Sequence, residues 1–313
     1  MEKHRMAVVG IGATGSVLAA ALLSKYPETV LVGRKPDLGN QLKEKGIAIT
    51  GVIDYHVPVN NYSSNIEELK GLDPDIIFLC TKTFHLGLVL EKLQDILLPS
   101  TKIISTQNGL GAEDLIAAKF GDQTVFRMSL NYGALQQDAG EVQTTFFNRP
   151  NHLGCISEEN QALGLRIADI LTGCGLDTEF VDNIKLFVWK KMIMKCTMAS
   201  ICAVTNRTIK ECLDFPPTRE IADACFKEAL SVAKTLGYDL GEDYLRQALS
   251  YLEQVGLHKD SMCSDLEHQT QTEIDFLGGK IVEYGRANGI NTPYYVTMTN
   301  LVKAFEDRYL KKR

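Results

Sequence analysis

Two lysines stand four residues apart in the segment WKKMIMKCTMAS, which runs from Trp189 to Ser200. In a helix of about 3.6 residues per turn, Lys191 and Lys195 share one face among apolar neighbours, with Ala199 one turn further on. Two like charges at this spacing destabilise an isolated helix by about 0.2–0.5 kcal/mol unless an anion or a carboxylate offsets them. The pair therefore predicts an acidic partner or an anionic ligand on this face. The alternative is a pair of surface lysines whose aliphatic stems lie along an ordinary helix.

A glycine motif lies near the start of the chain. The pattern G-x-G-x-x-G occupies residues 10–15, after a short apolar strand at residues 6–9 and before an apolar helix. Glycines there permit a tight turn and a close approach of the backbone to a pyrophosphate, which the N–H groups of the first helical turn can bind. The motif predicts a dinucleotide site, and a glycine turn without a ligand is the alternative. The residues expected to contact the cofactor are Gly10, Gly12, Ala13, Thr14 and Gly15.

The end of the next predicted strand, residues 29–32, bears on the choice of cofactor. An Asp or Glu at this place accepts hydrogen bonds from the 2′-hydroxyl of NAD, whereas this chain has Arg34 and Lys35. Cationic side chains suit the 2′-phosphate of NADP. We therefore expect NADPH rather than NADH, with Arg34 at the phosphate; a basic surface turn is the alternative.

Polar residues also follow the next two predicted strands. Lys82 stands at the end of PDIIFLCTK, and Asn108 stands at the end of TKIISTQNG. Because ligands of open α/β sheets gather beyond the carboxyl ends of the strands, we expect both side chains at the cofactor or at the active-site cleft.

Composition excludes several classes of function. The chain has 313 residues, 45% of them hydrophobic, and a formal net charge of −6. Basic residues form no run outside the final KKR, so we expect no nucleic-acid partner. No apolar run reaches the roughly 18 residues of a membrane span, and we expect a cytoplasmic protein. The eight cysteines show no C-x-x-C pair and the six histidines lack ligand spacing, so reduced thiols and no metal are expected.

Two domains are predicted from the pattern of elements. Strand and turn patterns alternate up to about residue 182, and long helical patterns follow at 184–205, 218–237 and 268–289. Thr292 and Pro293 lead into a final helix. We expect an α/β amino-terminal domain with a mainly parallel sheet at residues 1–182 and an all-α carboxy-terminal domain at residues 183–313.

The chain resembles the ketopantoate reductases over nearly its whole length. The resemblance depends on ordered blocks, which are GIGATG, Arg34 after the second strand, TK at 81–82, QNG at 107–109, WKKM at 189–192, SMCSD at 261–265 and TEIDFLGG at 272–279. It implies a Rossmann NADP-binding domain, a helical domain and an active site between them.

The resemblance also implies roles for single residues. Lys191 corresponds to the catalytic acid that contacts the substrate carbonyl, and Glu273 corresponds to a carboxylate that assists catalysis and organises the site. Ser261 corresponds to the serine that binds the substrate carboxylate. Lys82 and Asn108 match positions that line the cofactor and the active-site cleft.

The chain departs from the family where the substrate is recognised. The family has asparagines at the positions of Lys195 and Ala199, and His258 replaces a third. We expect NADPH-dependent reduction of a 2-oxo acid, either ketopantoate or a more anionic acid that Lys191 and Lys195 would bind together, with Ala199 leaving room for a longer chain. Alternatively, Lys195 pairs with Glu273 or another acid.

Other functions stay open at this stage. A non-catalytic NADP(H)-binding sensor would need none of Lys191, Ser261 and Glu273, so their joint presence argues against it, and an opine or amino-acid dehydrogenase would require an amine as co-substrate. The sequence does not determine the oligomeric state, and a homodimer is one possible assembly.

Overall fold

The computed structural model describes residues 4–311, apart from the side chain of Val255. The chain divides into two compact units. Unit 1 extends to Asn108 and continues over Ala112–Ile184, whereas unit 2 comprises Gly109–Gly111 and the chain from Lys185 onward. Leu110 belongs with unit 2 because its N–H donates to the carbonyl of Phe276 at 2.9 Å.

All strands found within residues 4–311 lie in unit 1. They are β1 Met6–Val9, β2 Val30–Val32, β3 Ile47–Gly51, β4 Tyr55–Val57, β5 Tyr62–Ser63, β6 Ile76–Leu79, β7 Lys102–Ser105, β8 Val125–Ser129, β9 Tyr132–Asp138, β10 Glu141–Phe147, β11 Asn151–Cys155 and β12 Thr178–Phe180. The helices of this unit are α1 Ala13–Leu23, α2 Pro36–Lys45, α3 Leu86–Leu93, α4 Ala112–Phe120 and α5 Gln161–Gly173.

Eight strands form the main sheet, in the order β12-β11-β8-β7-β6-β1-β2-β5. All neighbours are parallel except β11, which is antiparallel to β8. The predicted mainly parallel sheet is therefore confirmed. Both faces of this sheet are buried. Ala7, Ile77 and Ile103 lie in the hydrophobic core on one face, and Val8 and Phe78 lie in the hydrophobic core on the other. Burial of both faces is what continuous apolar strands such as MAVV and IIFL require.

A second sheet of four strands, in the order β4-β3-β10-β9, was not predicted. Its central pair, β3 and β10, is parallel although about ninety residues separate the two strands in the sequence. Helix α1 packs against side chains of both sheets, and residues 15–23 of this helix are all buried. This position explains why α1 is apolar on every side: it has no face toward water.

In the described part of unit 2, every element of regular secondary structure is a helix. Its helices are α6 Ile184–Thr205, α7 Ile209–Asp214, α8 Pro216–Thr235, α9 Tyr244–Val255, α10 Ser261–Glu267, α11 Gly278–Ala287 and α12 Pro293–Leu310. The predicted α6 and the predicted start of α12 at Pro293 are both confirmed. Across residues 4–311, no helix combines the length and the apolar composition needed to cross a membrane.

The helical pattern predicted for residues 268–289 is wrong in its first half. A short 3₁₀ turn occupies Ile274–Phe276, and α11 begins only at Gly278. One local and one tertiary hydrogen bond account for this: Thr272 Oγ1 accepts the N–H of Ile274 at 3.2 Å, and Glu306 Oε1, on α12, accepts the N–H of Thr272 at 2.6 Å. Side chains thus satisfy backbone groups that a continuous helix would have paired internally.

Candidate active site

The turn between β1 and α1 is closely packed against the end of β6. Gly10 has φ +104°, and a Cβ atom there would lie 2.6 Å from the backbone nitrogen of Thr81. A Cβ atom on Gly15 would lie 1.9 Å from the carbonyl oxygen of Gly10. Only glycine fits at these two positions, because the backbone at Thr81 and the carbonyl oxygen of Gly10 occupy the space that a Cβ atom would need.

Gly12 differs from its two partners in the motif, because the space around it is open. A Cβ atom there would meet no atom within 4 Å, and the residue is exposed. Gly12 is the N-cap of α1, and no side chain caps the helix or places an acidic group in its first turn. The first N–H groups of a helix lack intrahelical partners and favour anions, so the predicted Ala13 and Thr14 begin a helix that fits a pyrophosphate.

The turn between β2 and α2 presents Arg34 and Lys35, and both are exposed. Tyr62 supports this turn, since its hydroxyl donates to the carbonyl of Lys35 at 2.8 Å. Its ring fills the space left by two glycines: Cβ atoms on Gly33 and Gly39 would lie 2.2 and 2.3 Å from Tyr62. Burial raises the pKa of Tyr62 above its ordinary value, so the phenol stays a hydrogen-bond donor at neutral pH.

A buried ion pair lies beneath the Gln107–Asn108 turn. Arg127 Nη2 donates to the carbonyl of Gln107 at 2.6 Å, and Arg127 Nη1 donates to Ser105 Oγ at 3.1 Å. The Nε atom of Arg127 lies 3.2 Å from Glu113 Oε2, and the two side chains are 2% and 5% exposed. Because breaking such a pair leaves an uncompensated buried charge, Arg127 and Glu113 fix the backbone that carries Asn108.

Lys82 lies directly before the 3₁₀ turn Thr83–His85 and is partly buried, as is Asn108. Both follow neighbouring parallel strands, β6 and β7, in the main sheet. The structure thus places the two predicted polar side chains at the carboxyl edge of this sheet.

In unit 2, α6 carries the predicted catalytic lysine. Lys191 is partly buried, whereas Trp189 is only 4% exposed. The indole of Trp189 stacks on Tyr238 with ring centroids 5.5 Å apart and lies 5.9 Å from the ring of Tyr284. Aromatic packing on this side of α6 fixes the rotation of the helix about its axis, and with it the direction of Lys191.

Lys195 has an acidic partner, which is Asp260. The Nζ atom of Lys195 donates to Asp260 Oδ1 at 2.8 Å, to Asp260 Oδ2 at 2.6 Å and to Ser261 Oγ at 2.8 Å. Asp260 is also the N-cap of α10, where Oδ1 accepts the N–H of Met262 at 2.9 Å. The alternative that Lys195 pairs with an acid is therefore observed, and the acid is Asp260.

The remaining predicted positions lie in different surroundings. Glu273 is partly buried and directly precedes the 3₁₀ turn at Ile274–Phe276. Ala199 is fully buried at 0% exposure, so the space beside its methyl group is closed to solvent. His258 is exposed, and its carbonyl accepts the N–H of Ile209 at 3.4 Å.

Direct contact joins two of the residues predicted to bind substrate, Lys195 and Ser261. Sequence reasoning missed four side chains that hold the site in place, which are Tyr62, Glu113, Arg127 and Asp260. A signal was present only for Asp260, because an Asp that precedes a helical pattern is a common N-cap.

An α/β unit with an open helix start for a dinucleotide, followed by a helical unit with a partly buried lysine, defines a nicotinamide-dependent oxidoreductase. Residues 6–158 match the family model described as Ketopantoate reductase PanE/ApbA, and residues 183–306 match that of its C-terminal part. The chain belongs to the ketopantoate reductase family, which confirms the resemblance drawn from the sequence. Membership supports NAD(P)H-dependent reduction of a 2-oxo acid.

Curated relatives match over nearly the whole chain. The 2-dehydropantoate 2-reductase of Pyrococcus abyssi is 28% identical over 302 residues, which cover 96% of this chain and 97% of the relative. The enzyme of the same name from Streptococcus pyogenes serotype M1 is 27% identical over 303 residues, with the same coverage.

Solved structures share the fold. A ternary structure of D-mandelate dehydrogenase with NADH and anilino(oxo)acetate superposes with a TM-score of 0.86 at 25% identity, over 97% of this chain and 99% of that chain. The 2-dehydropantoate 2-reductase from Geobacter metallireducens superposes with a TM-score of 0.88 at 22% identity, over 96% and 99% of the two chains.

Proposed function

We propose that this chain reduces ketopantoate, or a closely similar 2-oxo acid, to the 2-hydroxy acid with NADPH. The observation that carries the proposal is the hydrogen bond of 2.8 Å between Lys195 Nζ and Ser261 Oγ. It joins the helix of Lys191 to the serine that the resemblance assigns to the substrate carboxylate, although 66 positions separate the two residues of the bond. A cation for the carbonyl oxygen and a hydroxyl for the carboxylate are the groups that a 2-oxo acid requires.

The proposed chemistry assigns one role to each side chain. NADPH, when bound, supplies a hydride from the nicotinamide C4 to the carbonyl carbon. Lys191 stabilises the negative charge that develops on the carbonyl oxygen and donates the proton that completes the hydroxyl group. Glu273 orients this lysine, and Ser261 donates a hydrogen bond to the substrate carboxylate.

The cofactor would be held by groups of unit 1. The N–H groups at the start of α1 would bind the pyrophosphate, and Arg34 would pair with the 2′-phosphate. Lys82 and Asn108 would line the cofactor at the carboxyl edge of the sheet. Support for NADPH over NADH comes from the exposed cations at 34–35, where an NAD-binding protein of this fold has an acidic residue.

A more anionic 2-oxo acid would need both Lys191 and Lys195 as cations without an acidic partner. Lys195, however, is paired with the carboxylate of Asp260. Ala199 also leaves no open space for a longer chain, because it is fully buried. These two observations favour a 2-oxo acid with a single carboxylate, such as ketopantoate.

The test is the oxidation of NADPH by the purified protein with a panel of 2-oxo acids, followed at 340 nm. The expected result is turnover with ketopantoate at a kcat/KM above that for dicarboxylic 2-oxo acids. NADPH binding without turnover of any acid would favour the non-catalytic sensor, and turnover only in the presence of an amine would favour an opine or amino-acid dehydrogenase.

Two other expectations from the sequence stay predictions. Cell fractionation measures the expected cytoplasmic location. Light scattering on the purified protein measures whether it is a homodimer.

A further inference from the structure

The cluster formed by Lys195, Asp260 and Ser261 has a definite hydrogen-bond arrangement. A lysine ammonium has three N–H donors and no acceptor. In this cluster the ammonium donates to the carboxylate of Asp260 and to the hydroxyl oxygen of Ser261. The charge of Lys195 is therefore offset by Asp260, and a substrate carboxylate that used this ammonium would have to compete with Asp260 for it.

The same arrangement decides what the hydroxyl of Ser261 can do. Its oxygen accepts from Lys195, so its hydrogen points away from the ammonium and needs an acceptor of its own. Among residues 4–311, no side chain or carbonyl accepts this hydrogen. Ser261 is exposed, and a hydroxyl polarised by a cation is a stronger donor to an anion.

Asp260 is held firmly in the cluster. Its side chain is 7% exposed, and it caps α10 through the N–H of Met262 while it binds Lys195. A substrate carboxylate that displaced Asp260 from the lysine would leave a buried carboxylate without its cation, which is costly. The ion pair between Lys195 and Asp260 therefore carries no net charge, and it stays intact when substrate binds.

We propose that Lys195 and Asp260 form a neutral pair that directs the hydroxyl of Ser261 to the carboxylate of a 2-oxo acid with one negative charge. The inference deepens the proposed function and rests on it. Lys195 is then a positioning residue that acts through Ser261, and it does not bind a second carboxylate of the substrate. A dicarboxylic acid is disfavoured because its second carboxylate would lose water without gaining a cationic partner, since Asp260 already offsets the charge of Lys195.

The first experiment compares two acids of equal chain length, 2-oxopentanoate and 2-oxoglutarate, with NADPH and the unmutated protein. We expect a higher kcat/KM for 2-oxopentanoate. A preference for 2-oxoglutarate would overturn the neutral pair. If neither these acids nor ketopantoate is reduced although NADPH binds, the proposed function itself fails, and this inference fails with it.

The second experiment is a double-mutant cycle of Ser261→Ala and Lys195→Met on the KM for the monocarboxylic acid. Each single variant should raise KM by about tenfold, the usual effect of losing one hydrogen bond to a charged group, with a smaller change in kcat. The double variant should raise KM no further, because Lys195 acts through Ser261. Multiplication of the two effects, to about a hundredfold, would show that Lys195 acts independently of Ser261.

Asp260→Asn tests the charge without removing the helix cap, because Asn caps helices as well as Asp does. It leaves Lys195 uncompensated, so the ratio of kcat/KM for 2-oxoglutarate to that for 2-oxopentanoate should rise about tenfold. An unchanged ratio would contradict the proposal. Lys210→Met is the matched control: it breaks the 2.8 Å ion pair with Asp214 on α7 and should leave the ratio and both KM values as they are.

Discussion

Glu306 holds the backbone beside Glu273: its Oε1 atom accepts the N–H of Thr272 at 2.6 Å. Glu306 lies on α12 and is 8% exposed. The same helix carries Tyr309, whose hydroxyl donates to the carbonyl of Thr270 at 2.8 Å. Helix α12 therefore fixes the irregular segment that replaces the predicted helix, and this segment carries the proposed catalytic carboxylate.

Glu306→Ala should lower both stability and turnover. It leaves the buried N–H of Thr272 without an acceptor, which costs about 1–3 kcal/mol, and it frees the backbone that orients Glu273. Chemical denaturation measures the first effect, and kcat with ketopantoate measures the second. Glu306→Gln retains an acceptor and should cost less. The control is Glu283→Ala, which removes an exposed carboxylate of α11; equal behaviour of the two alanine variants would contradict this role.

Lys191→Ala should reduce kcat by about 10²–10⁴, because it removes the proton donor and the partner of the developing oxyanion. NADPH affinity, measured by fluorescence titration, should stay within about twofold because the proposed cofactor groups lie in unit 1. Lys190→Ala is the matched control on the same helix, where the ammonium lies 5.5 Å from the ring of Phe187. Near-normal turnover in Lys191→Ala would mean that this lysine is an ordinary surface residue.

Arg34→Ala should weaken NADPH binding and spare NADH. A charged hydrogen bond to a phosphate contributes about 1.5–3 kcal/mol, so the Kd for NADPH should rise by about tenfold to a hundredfold. Lys43→Ala, which removes an exposed cation further along α2, should change neither affinity. The idea fails if the unmutated protein binds both cofactors equally well.

Tyr62→Phe should reduce the preference for NADPH by a smaller factor, on the order of threefold to tenfold. The ring would still fill the space beside Gly33 and Gly39, but the carbonyl of Lys35 would lose its donor. The turn that carries Arg34 would then be less well ordered before the cofactor binds. Calorimetric titration with NADPH and NADH measures the ratio, and an unchanged ratio would mean that the hydrogen bond does not order the turn.

Stability should fall in alkaline solution. Burial raises the pKa of the Cys225 thiol from 9.0 to about 12 and that of the Tyr295 phenol well above 10.0. Above pH 9.0 the unfolded chain loses protons that the folded chain retains, so the free energy of unfolding decreases as pH rises, by about 1.4 kcal/mol per pH unit for each proton. Urea denaturation at pH 8 to 11 measures the slope.

The variant Cys225→Ala tests whether the buried thiol of Cys225 contributes to this loss of stability. The variant removes one such proton and should show a shallower slope between about pH 9 and 11. Below pH 8 its stability should not depend on pH more than that of the unmutated protein. A slope equal to that of the unmutated protein would mean that groups other than Cys225 cause the pH dependence of unfolding.

Local patterns predicted much of the fold. The apolar strand MAVV, the glycine turn and the helical pattern of residues 184–205 are set by neighbours in sequence, and the structure has each of them at the expected residues. The second sheet was missed because β3 and β10 pair across a long separation, which no local pattern encodes. The helix start at Gly278 was missed because the side chain that interrupts it, Glu306, lies on another helix.

The residues of the candidate site also divide into those that local sequence patterns indicated and those that depend on distant contacts. The charge of Lys195 required an acid nearby. The sequence marks Asp260 as a candidate helix N-cap, but it does not identify it as the partner of Lys195 among the 39 acidic residues. Tyr62 could not be found either, since β5 has only two residues and the space that its ring fills is created by glycines on another segment. Residues that do chemistry were indicated by motifs, whereas residues that hold them in place depend on tertiary contacts.

The burial of α1 between two sheets limits how the chain can be divided. In the simplest view, the first 110 or so residues would be a transferable cofactor-binding module, since they hold the glycine turn, Arg34 and Asn108. However, the second sheet that covers α1 is completed only by β9 and β10, at Tyr132–Phe147. A fragment that ends before Tyr132 would expose an apolar helix and leave β3 as an open edge, which favours aggregation. The smallest autonomous cofactor-binding piece of this chain therefore extends well beyond its last proposed cofactor ligand.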